Sequence, residues 1–193
     1  ALIKQRKIRH PQVPQAETLE YKIGEDSVQL LLEEFAPGIT LKEVADGNWF
    51  NKLGWKQEEN FTINIFHQLA DILSYFEEQG IYHNDLKPEN INIDIDFDKP
   101  SESKAYILDM NISKDYQSKE KMLGSDFYLA PELLDKKLKR GVDNAEARSE
   151  IFSLGLNIYY LMNRKSFVDY SEKKNDQLRE EAHKILRDKR LLK

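Results

Sequence analysis

The chain contains no cysteine among its 193 residues. That absence excludes disulfide bonds and thiolate metal sites, and it fits an intracellular protein. Positive charge is also in short supply: 29 basic residues face 34 acidic ones, and the net charge of −5 argues against nucleic-acid binding through phosphate contacts. No apolar stretch approaches the length that spans a membrane. We therefore expect a soluble, cytoplasmic protein without a nucleic-acid or membrane partner.

Glycine is sparse and scattered. The eight glycines never occur two positions apart, so the chain contains no G-x-G-x-x-G phosphate-binding loop. There are no internal repeats and no low-complexity linker. The length suits one domain that can bury a core.

Hydrophobic periodicity predicts a mixture of strands and helices. In chain order the predicted elements are a basic helix ending near residue 9, strands 18–23 and 27–35, helices 41–53 and 61–79, strands 91–95 and 105–108, and helices 149–163 and 175–187. The helix over residues 149–163 is apolar nearly all round, so we expect it to be buried in the middle of its domain.

The run from His83 to Asn90 carries the residue types that phosphoryl transfer needs. An attacking hydroxyl needs a carboxylate that orients it and accepts its proton, and Asp85 supplies one. The charge that develops on the transferred phosphoryl group needs a nearby cation, which Lys87 provides. Mg²⁺ prefers oxygen ligands such as the amide oxygen of Asn90. Taken singly, each Asp or Asn is more often a turn former or a cap.

Two later segments extend the pattern in the same order. Asp109 follows a short apolar strand, nineteen residues after Asn90, where its carboxylate can reach a metal ion between phosphates. Ser125 begins the segment Ser-Asp-Phe-Tyr-Leu-Ala-Pro-Glu, which ends at Glu132. Three separate segments in this order carry the pattern, so chance is an unsatisfactory explanation for their occurrence in one chain.

The chain resembles the eukaryotic-type protein kinases, whose motifs are H-R-D-x-K-x-x-N, D-F-G and A-P-E in this order. The resemblance covers nearly the whole chain and is closer to serine/threonine than to tyrosine kinases. It implies an α+β, protein-kinase-like fold, with residues 1–36 forming part of the N-terminal lobe and residues 37–193 forming the mostly helical C-terminal lobe. The Gly-rich phosphate clamp and the strand lysine of the family are expected upstream of residue 1.

The resemblance also implies a role for each site residue. ATP and Mg²⁺ are the expected cofactors, with Mg²⁺ held by Asn90 and Asp109. The catalytic residues are expected to be Asp85, which orients the hydroxyl of a protein substrate, Lys87, which neutralises the phosphoryl group, and Ser125, which braces both. The adenine is expected to meet the backbone C=O of Glu34, the backbone N–H of Ala36 and the strand residue Asn92. A strand ending in a turn is the plainer interpretation of residues 34–36.

Several positions depart from the family pattern. Asn84 replaces the arginine that grips an activation-loop phosphate, so activity independent of loop phosphorylation is expected. Asn92 replaces the apolar floor under the adenine and argues against ordinary ATP affinity. Met110 and Asn111 replace Phe-Gly after Asp109. Glu150 stands where an aspartate of the family bonds the backbone of the catalytic loop.

Three functions remain open from the sequence. The first is a serine/threonine protein kinase with a protein substrate and a regulatory protein partner. The second, suggested by Asn84 and Asn92, is a pseudokinase that acts as a scaffold or binding module. The third is a small-molecule kinase, which the peptide-docking segment from Ser125 to Glu132 disfavours.

Overall fold

The computed structural model of the protein describes residues 8–23, 26–110, 114–115, 128, 130 and 145–163. The elements in chain order are strands β1 (Ala16–Ile23), β2 (Asp26–Glu33) and β3 (Ile39–Thr40), helices α1 (Leu41–Asp46) and α2 (Trp55–Glu78), strands β4 (Ile81–Tyr82), β5 (Ile91–Asp94), β6 (Lys104–Ile107) and β7 (Lys114–Asp115), and helix α3 (Ala145–Asn163). Short 3₁₀ turns occupy Trp49–Lys52, Pro88–Asn90 and Pro100–Glu102. No helix in these ranges is both long and apolar enough to cross a membrane.

Three small antiparallel sheets accompany the helices. β1 and β2 form a hairpin in which Ala16 pairs with Glu33. β5 lies between β3 and β6, and Ile91 pairs with Ile107. β4 pairs with β7. The hairpin was predicted from alternation in the sequence, and the structure confirms it.

Helix α2 forms the centre of the core. Its buried residues recur at intervals of three and four, and they pack against α3, β4 and β6. These residues are Phe61, Thr62, Ile65, Leu69, Ile72, Leu73 and Phe76. The helix begins at Trp55, six residues before Phe61, the first residue of the predicted apolar pattern. The sequence does not mark this start, because the first turns are polar and show no apolar period. The side chain of Gln57 accepts the backbone N–H of Gly54 at 3.0 Å and closes that end.

Helix α1 shows how a cap positions the segment that follows the hairpin. The hydroxyl of Thr40 accepts the backbone N–H of Glu43 at 3.2 Å, and the Glu43 carboxylate accepts the backbone N–H of Thr40 at 2.8 Å. The helix predicted over residues 41–53 is interrupted at Gly47, where the backbone is extended. A side chain at Gly47 would collide with Trp49, so glycine fits this position. The chain then continues as the 3₁₀ turn Trp49–Lys52.

Two predictions were wrong within the described residues, one about burial and one about a helix. Helix α3 is buried on one side only: Leu154 and Leu161 are inaccessible, whereas Ile151 and Met162 are more than half exposed. The inward side of α3 also carries polar residues, which sequence hydrophobicity alone does not place. Residues 8–10 are not helical, and residues 1–7 and 175–187, where the other terminal helices were expected, lie outside the described residues.

Candidate active site

The loop of residues 83–90, which the kinase resemblance identifies as the catalytic loop, brings three predicted residues together. Asp85 is buried, and its Oδ2 atom lies 2.8 Å from the Nζ atom of Lys87. The side-chain amide of Asn90 donates to the backbone carbonyl of Asp85 at 2.9 Å and to its Oδ2 atom at 3.3 Å. Because Asn90 uses its N–H groups on Asp85, its Oδ1 atom is directed to the other side of the amide. An amide oxygen in that orientation has the chemistry of a Mg²⁺ ligand.

Hydrogen bonds of the neighbouring residue place Asp109 beside this loop. The backbone N–H of Leu108 donates to the carbonyl of Asn90 at 2.8 Å, and the carbonyl of Leu108 lies 2.8 Å from the Nε2 atom of His83. Asp109, the next residue, is half-buried and has a φ of 57°. This left-handed backbone is uncommon for a residue other than glycine, so the surrounding contacts hold it. Strand β6 and the catalytic loop are thereby locked together at Leu108.

His83 is a structural link and not an acid or base. Its ring is completely buried, and burial lowers the pKa of the imidazole. Its Nδ1 atom accepts the backbone N–H of Asp85 at 3.2 Å, so the neutral ring carries its proton on Nε2 and donates to Leu108. The carboxylates of both Asp85 and Asp109 act on this ring and raise its pKa in part. Both acidic groups therefore lie near one buried histidine.

Glu150 of α3 holds the catalytic loop through hydrogen bonds to its backbone. Its Oε1 atom accepts the backbone N–H of Asn84 at 2.8 Å, and the N–H of His83 also bonds this carboxylate. Asn84 itself has a left-handed backbone, with a φ of 65°. Burial raises the pKa of Glu150 to about 7, against the lowering effect of these backbone hydrogen bonds. The longer glutamate thus makes the backbone bond that the family resemblance assigns to an aspartate.

A polar stripe on α3 was missed from the sequence. Ser149, Ser153 and Asn157 lie four residues apart and are buried on one face of an otherwise apolar helix. The amide of Asn157 donates to the backbone carbonyl of Leu86 at 3.0 Å. The hydroxyl of Ser153 donates to the backbone carbonyl of Tyr128 at 2.6 Å. Polar residues at helical spacing inside an apolar run are a signal that could have identified this stripe. It anchors the catalytic loop at Leu86 and also bonds the backbone of Tyr128.

The predicted adenine-contacting residues Glu34 and Ala36 lie in the segment after β2, and the third, Asn92, reaches that segment from β5. The side chain of Asn92, on β5, donates to the carbonyl of Ala36 at 3.3 Å. The backbone N–H of Glu34 donates to the carbonyl of Gln15 at 2.8 Å, and the Glu34 carboxylate accepts the N–H of Gln15 at 2.9 Å. Residues 34–36 are thus tied to the start of β1 on one side and to β5 on the other.

The remaining predicted site residue, Ser125, lies outside the described residues. Among the residues that are described, no three His, Asp or Glu side chains are grouped closely enough to hold a metal ion by themselves. Mg²⁺ takes only one or two protein carboxylates when phosphates complete its shell, so Asp109 and Asn90 fit such an ion.

Comparison with known proteins identifies the family of the chain. The sequence model of the family described as protein kinase domain matches residues 3–191. The chain is 33% identical over 132 residues to CBL-interacting protein kinase 21 of Oryza sativa subsp. japonica, which is 64% of this chain and 23% of that protein. It is 30% identical over 165 residues to CBL-interacting protein kinase 11 of the same organism, 81% of this chain and 28% of that protein.

A third relative is CBL-interacting serine/threonine-protein kinase 20 of Arabidopsis thaliana, with 33% identity over 129 residues, 63% of this chain and 27% of that protein. The chain therefore spans less than a third of the length of these three relatives. Because the family model matches nearly every residue, the chain belongs to the protein kinase family.

Proposed function

We propose that this domain transfers the γ-phosphoryl group of ATP to serine or threonine hydroxyls of protein substrates. The observation that carries the proposal is the bonded group of Asp85, Lys87 and Asn90, with Asp109 fixed next to it through Leu108. Such a group supplies one carboxylate, one cation and two oxygen ligands within a single loop and strand. The serine/threonine preference is supported by the name of the Arabidopsis thaliana relative, a serine/threonine-protein kinase that is 33% identical over 129 residues.

In this proposal Asp85 orients the hydroxyl of the substrate and accepts its proton. Lys87, held 2.8 Å from Asp85, faces the transferred phosphoryl group. Asn90 and Asp109 hold Mg²⁺, which neutralises charge on the phosphates when it is bound. Ser125 is proposed to brace Asp85 and Lys87. Catalysis then rests on positioning and electrostatics, which are the main contributions in phosphoryl transfer.

Members of this family use ATP and Mg²⁺, and we propose the same cofactors here. The backbone of Glu34 and Ala36 is proposed to bond the adenine edge, with Asn92 beneath the ring. Residues 1–36 then belong to the N-terminal lobe and residues 37–193 to the C-terminal lobe. Asn92 makes this floor polar, so a lower affinity for ATP than an aliphatic floor would give is part of the proposal.

A regulatory protein partner is proposed from the relatives, whose names describe them as CBL-interacting. The partner of the present protein is not thereby identified. The cytoplasmic location stays a prediction from the absence of cysteine.

A nucleotide-independent scaffold is the second candidate, and Asn92 is the observation that favours it. Its amide donates to Ala36 and lies where the ring would pack, so each base that enters must tolerate a polar neighbour. One measurement distinguishes the two candidates. A kinase binds Mg-ATP in the full-length protein, whereas a nucleotide-independent scaffold does not.

The experiment compares full-length wild-type protein with Asp85→Asn. Phosphate transfer from labelled ATP to serine/threonine peptides is measured together with Mg-ATP affinity by calorimetry. Loss of the catalytic carboxylate should lower the transfer rate by about 10²–10⁴-fold and leave nucleotide affinity within about threefold. Asp71→Asn, an exposed carboxylate on α2, is the matched control and should keep the wild-type rate.

Equal transfer by the wild type and Asp85→Asn would refute the catalytic assignment. A wild-type protein that transfers no phosphate and shows no calorimetric signal with Mg-ATP would favour the scaffold instead.

A further inference from the structure

Helix α3 holds the backbone of the catalytic loop both before and after Asp85 in the chain. Before Asp85, the carboxylate of Glu150 accepts the backbone N–H of Asn84 at 2.8 Å. After Asp85, the side-chain amide of Asn157 donates to the backbone carbonyl of Leu86 at 3.0 Å. Glu150 and Asn157 are seven residues apart, so about two helical turns place them on the same face of α3, roughly 10 Å from each other. One helix therefore carries two anchors for one loop.

The anchor at Leu86 differs from the bonds that the two neighbouring carbonyls make. The carbonyl of Asp85 accepts the side-chain amide of Asn90 at 2.9 Å, and the carbonyl of Lys87 accepts the backbone N–H of Asn90 at 2.9 Å. Both bonds lie within the loop and move with it. The carbonyl of Leu86 is bonded from α3, a helix of 19 residues. The bond from Asn157 therefore ties the loop to an element outside it.

The carbonyl of Leu86 controls how Asp85 and Lys87 are placed relative to each other. Leu86 lies between them in the chain, and its carbonyl belongs to the peptide plane from which Lys87 continues. Because the peptide bond is planar, a fixed carbonyl fixes the orientation of that plane. The Nζ atom of Lys87 lies 2.8 Å from the Oδ2 atom of Asp85, and a turn of the plane would change this distance. The bond from Asn157 thus helps to set the geometry of the carboxylate and the cation.

The environment of Asn157 favours a role other than stability. The side chain is completely buried, and Leu154 and Leu161 of the same helix belong to the hydrophobic core. Within the described residues, the Oδ1 atom of Asn157 has no hydrogen-bond partner. A buried polar atom without a partner lowers stability, and an apolar side chain at this position would not carry that cost. Departures of this kind are expected where a residue serves a functional site.

We infer that Asn157 is a positioning residue for phosphoryl transfer. It holds the carbonyl of Leu86 and so keeps Asp85 and Lys87 in the relative position that the transfer step needs. The inference rests on the proposed function and deepens it, because it assigns a role to a fully buried side chain that meets neither the nucleotide nor the substrate hydroxyl. Loss of the bond should lower kcat and leave the KM for Mg-ATP and for the peptide substrate near the wild-type values.

Two substitutions separate the bond to the loop from a second bond within the helix. Asn157 also donates to the carbonyl of Ser153, one turn earlier, at 2.8 Å. Asn157→Leu removes both bonds and keeps a side chain of similar size. Asn157→Thr keeps a hydroxyl that can bond the carbonyl of Ser153, as the hydroxyl of Thr62 bonds that of Glu58 at 2.9 Å on α2. A threonine hydroxyl is too short to reach the loop as well.

The matched control lies on the same helix. The side chain of Asn163 is exposed and donates to the carbonyl of Tyr159, one turn earlier, at 2.8 Å. Asn163→Leu therefore removes the same kind of bond within the helix, at the end of α3 and away from the catalytic loop. It should keep the kcat of the wild type.

The first measurement is steady-state kinetics on the full-length protein, with labelled ATP and serine/threonine peptides at varied concentrations. Asn157→Leu and Asn157→Thr should each lower kcat by about 10–100-fold, because a displacement of about 1 Å at reacting groups can cost on the order of 10²-fold. The KM for Mg-ATP and for peptide should stay within about threefold of the wild type. Urea denaturation at the assay pH shows whether each variant is folded.

The second measurement needs no activity. Full-length protein with ¹³C at leucine carbonyls and ¹⁵N at lysine amides gives a nuclear magnetic resonance signal for the Leu86–Lys87 peptide, identified by its loss in Lys87→Arg. A carbonyl that loses a hydrogen bond changes its ¹³C chemical shift. The signal should therefore shift in Asn157→Leu and in Asn157→Thr, and it should stay in place in Asn163→Leu.

The outcomes that overturn the inference are distinct from those that refute the proposed function. A folded Asn157→Leu or Asn157→Thr with the kcat of Asn163→Leu would overturn it, and so would a change confined to KM. If neither Asn157 variant folds, Asn157 is a structural residue and the inference is also overturned. A wild type that transfers no phosphate would refute the proposed function instead. The Leu86 signal would then decide whether Asn157 holds the loop: a shift in the folded variants supports this, and an unchanged signal overturns it.

Discussion

Replacing Glu150 with glutamine tests how the catalytic loop is held. The carboxylate is buried on α3 and accepts the backbone N–H of Asn84 at 2.8 Å. Within the described residues, its Oε2 atom has no hydrogen-bond partner. Glutamine keeps an oxygen for Asn84 but removes the ionisable group, so it separates the hydrogen bond from the charge.

The size of the effect follows from the pKa. Burial raises the pKa of Glu150 from 4.5 to about 7 in the folded protein. Between these two values the folded protein retains a proton that the unfolded chain has released, so the free energy of unfolding falls as the pH rises. The difference in pKa corresponds to about 3 kcal/mol of lost stability between pH 4.5 and pH 7, as an order of magnitude. Glutamine also leaves an amide N–H without a partner, a cost that is independent of pH.

The measurement is urea denaturation of the wild type and Glu150→Gln across this pH range. The free energy of unfolding of Glu150→Gln, relative to that of the wild type, should rise by about 2–3 kcal/mol from pH 4.5 to pH 7. Glu78→Gln, an exposed residue at the end of α2, is the matched control and should run parallel to the wild type. A constant difference between Glu150→Gln and the wild type at every pH would refute the account of a buried, proton-binding carboxylate.

Two further predictions concern the nucleotide site and the core. Asn92→Leu should tighten Mg-ATP binding by about three- to tenfold in calorimetry, because the ring then packs on an apolar side chain instead of displacing an amide from Ala36; unchanged or weaker binding would contradict the proposed floor. Leu69→Ala should lower the free energy of unfolding by about 2–5 kcal/mol, because Leu69 is fully buried on α2. Phe66→Ala, at an exposed position of the same helix, should cost less than about 1.5 kcal/mol. Similar losses in both variants would contradict the assignment of the buried face.

The local elements could be predicted because their signals are local. The α2 helix follows from apolar residues at three- and four-residue spacing, and its end from Gly80, which has a φ of 65°. The start at Trp55 could not be found in this way, because polar residues in the first turns carry no period. The break at Gly47 appears only in the folded chain, where the Gly47 backbone is extended and leaves no room for a Cβ atom beside Trp49.

The candidate site also has a part that depends on residues close in sequence and a part that depends on distant residues. Asp85, Lys87 and Asn90 lie within six residues, so the chain itself brings them close, and the structure adds the hydrogen bonds among them. The contacts that hold the group in place join distant parts of the chain: the bond from Asn84 to Glu150 spans 66 residues, and the bond from Asn157 to Leu86 spans 71. Periodicity has no access to such pairs. The resemblance to kinases pointed to Glu150, whereas the spacing of Ser149, Ser153 and Asn157 marks a polar stripe without naming its partner Leu86.

The most direct test of the account is whether Asp109 and Asn90 hold a divalent ion beside the nucleotide. Mn²⁺ substitutes for Mg²⁺ and can be titrated by electron paramagnetic resonance into full-length protein with and without ATP. The account predicts Mn²⁺ binding that depends on ATP and weakens about tenfold or more in both Asp109→Asn and Asn90→Ala, but not in Asp71→Asn. Equal Mn²⁺ affinity in the wild type and Asp109→Asn, in the presence of ATP, would contradict it.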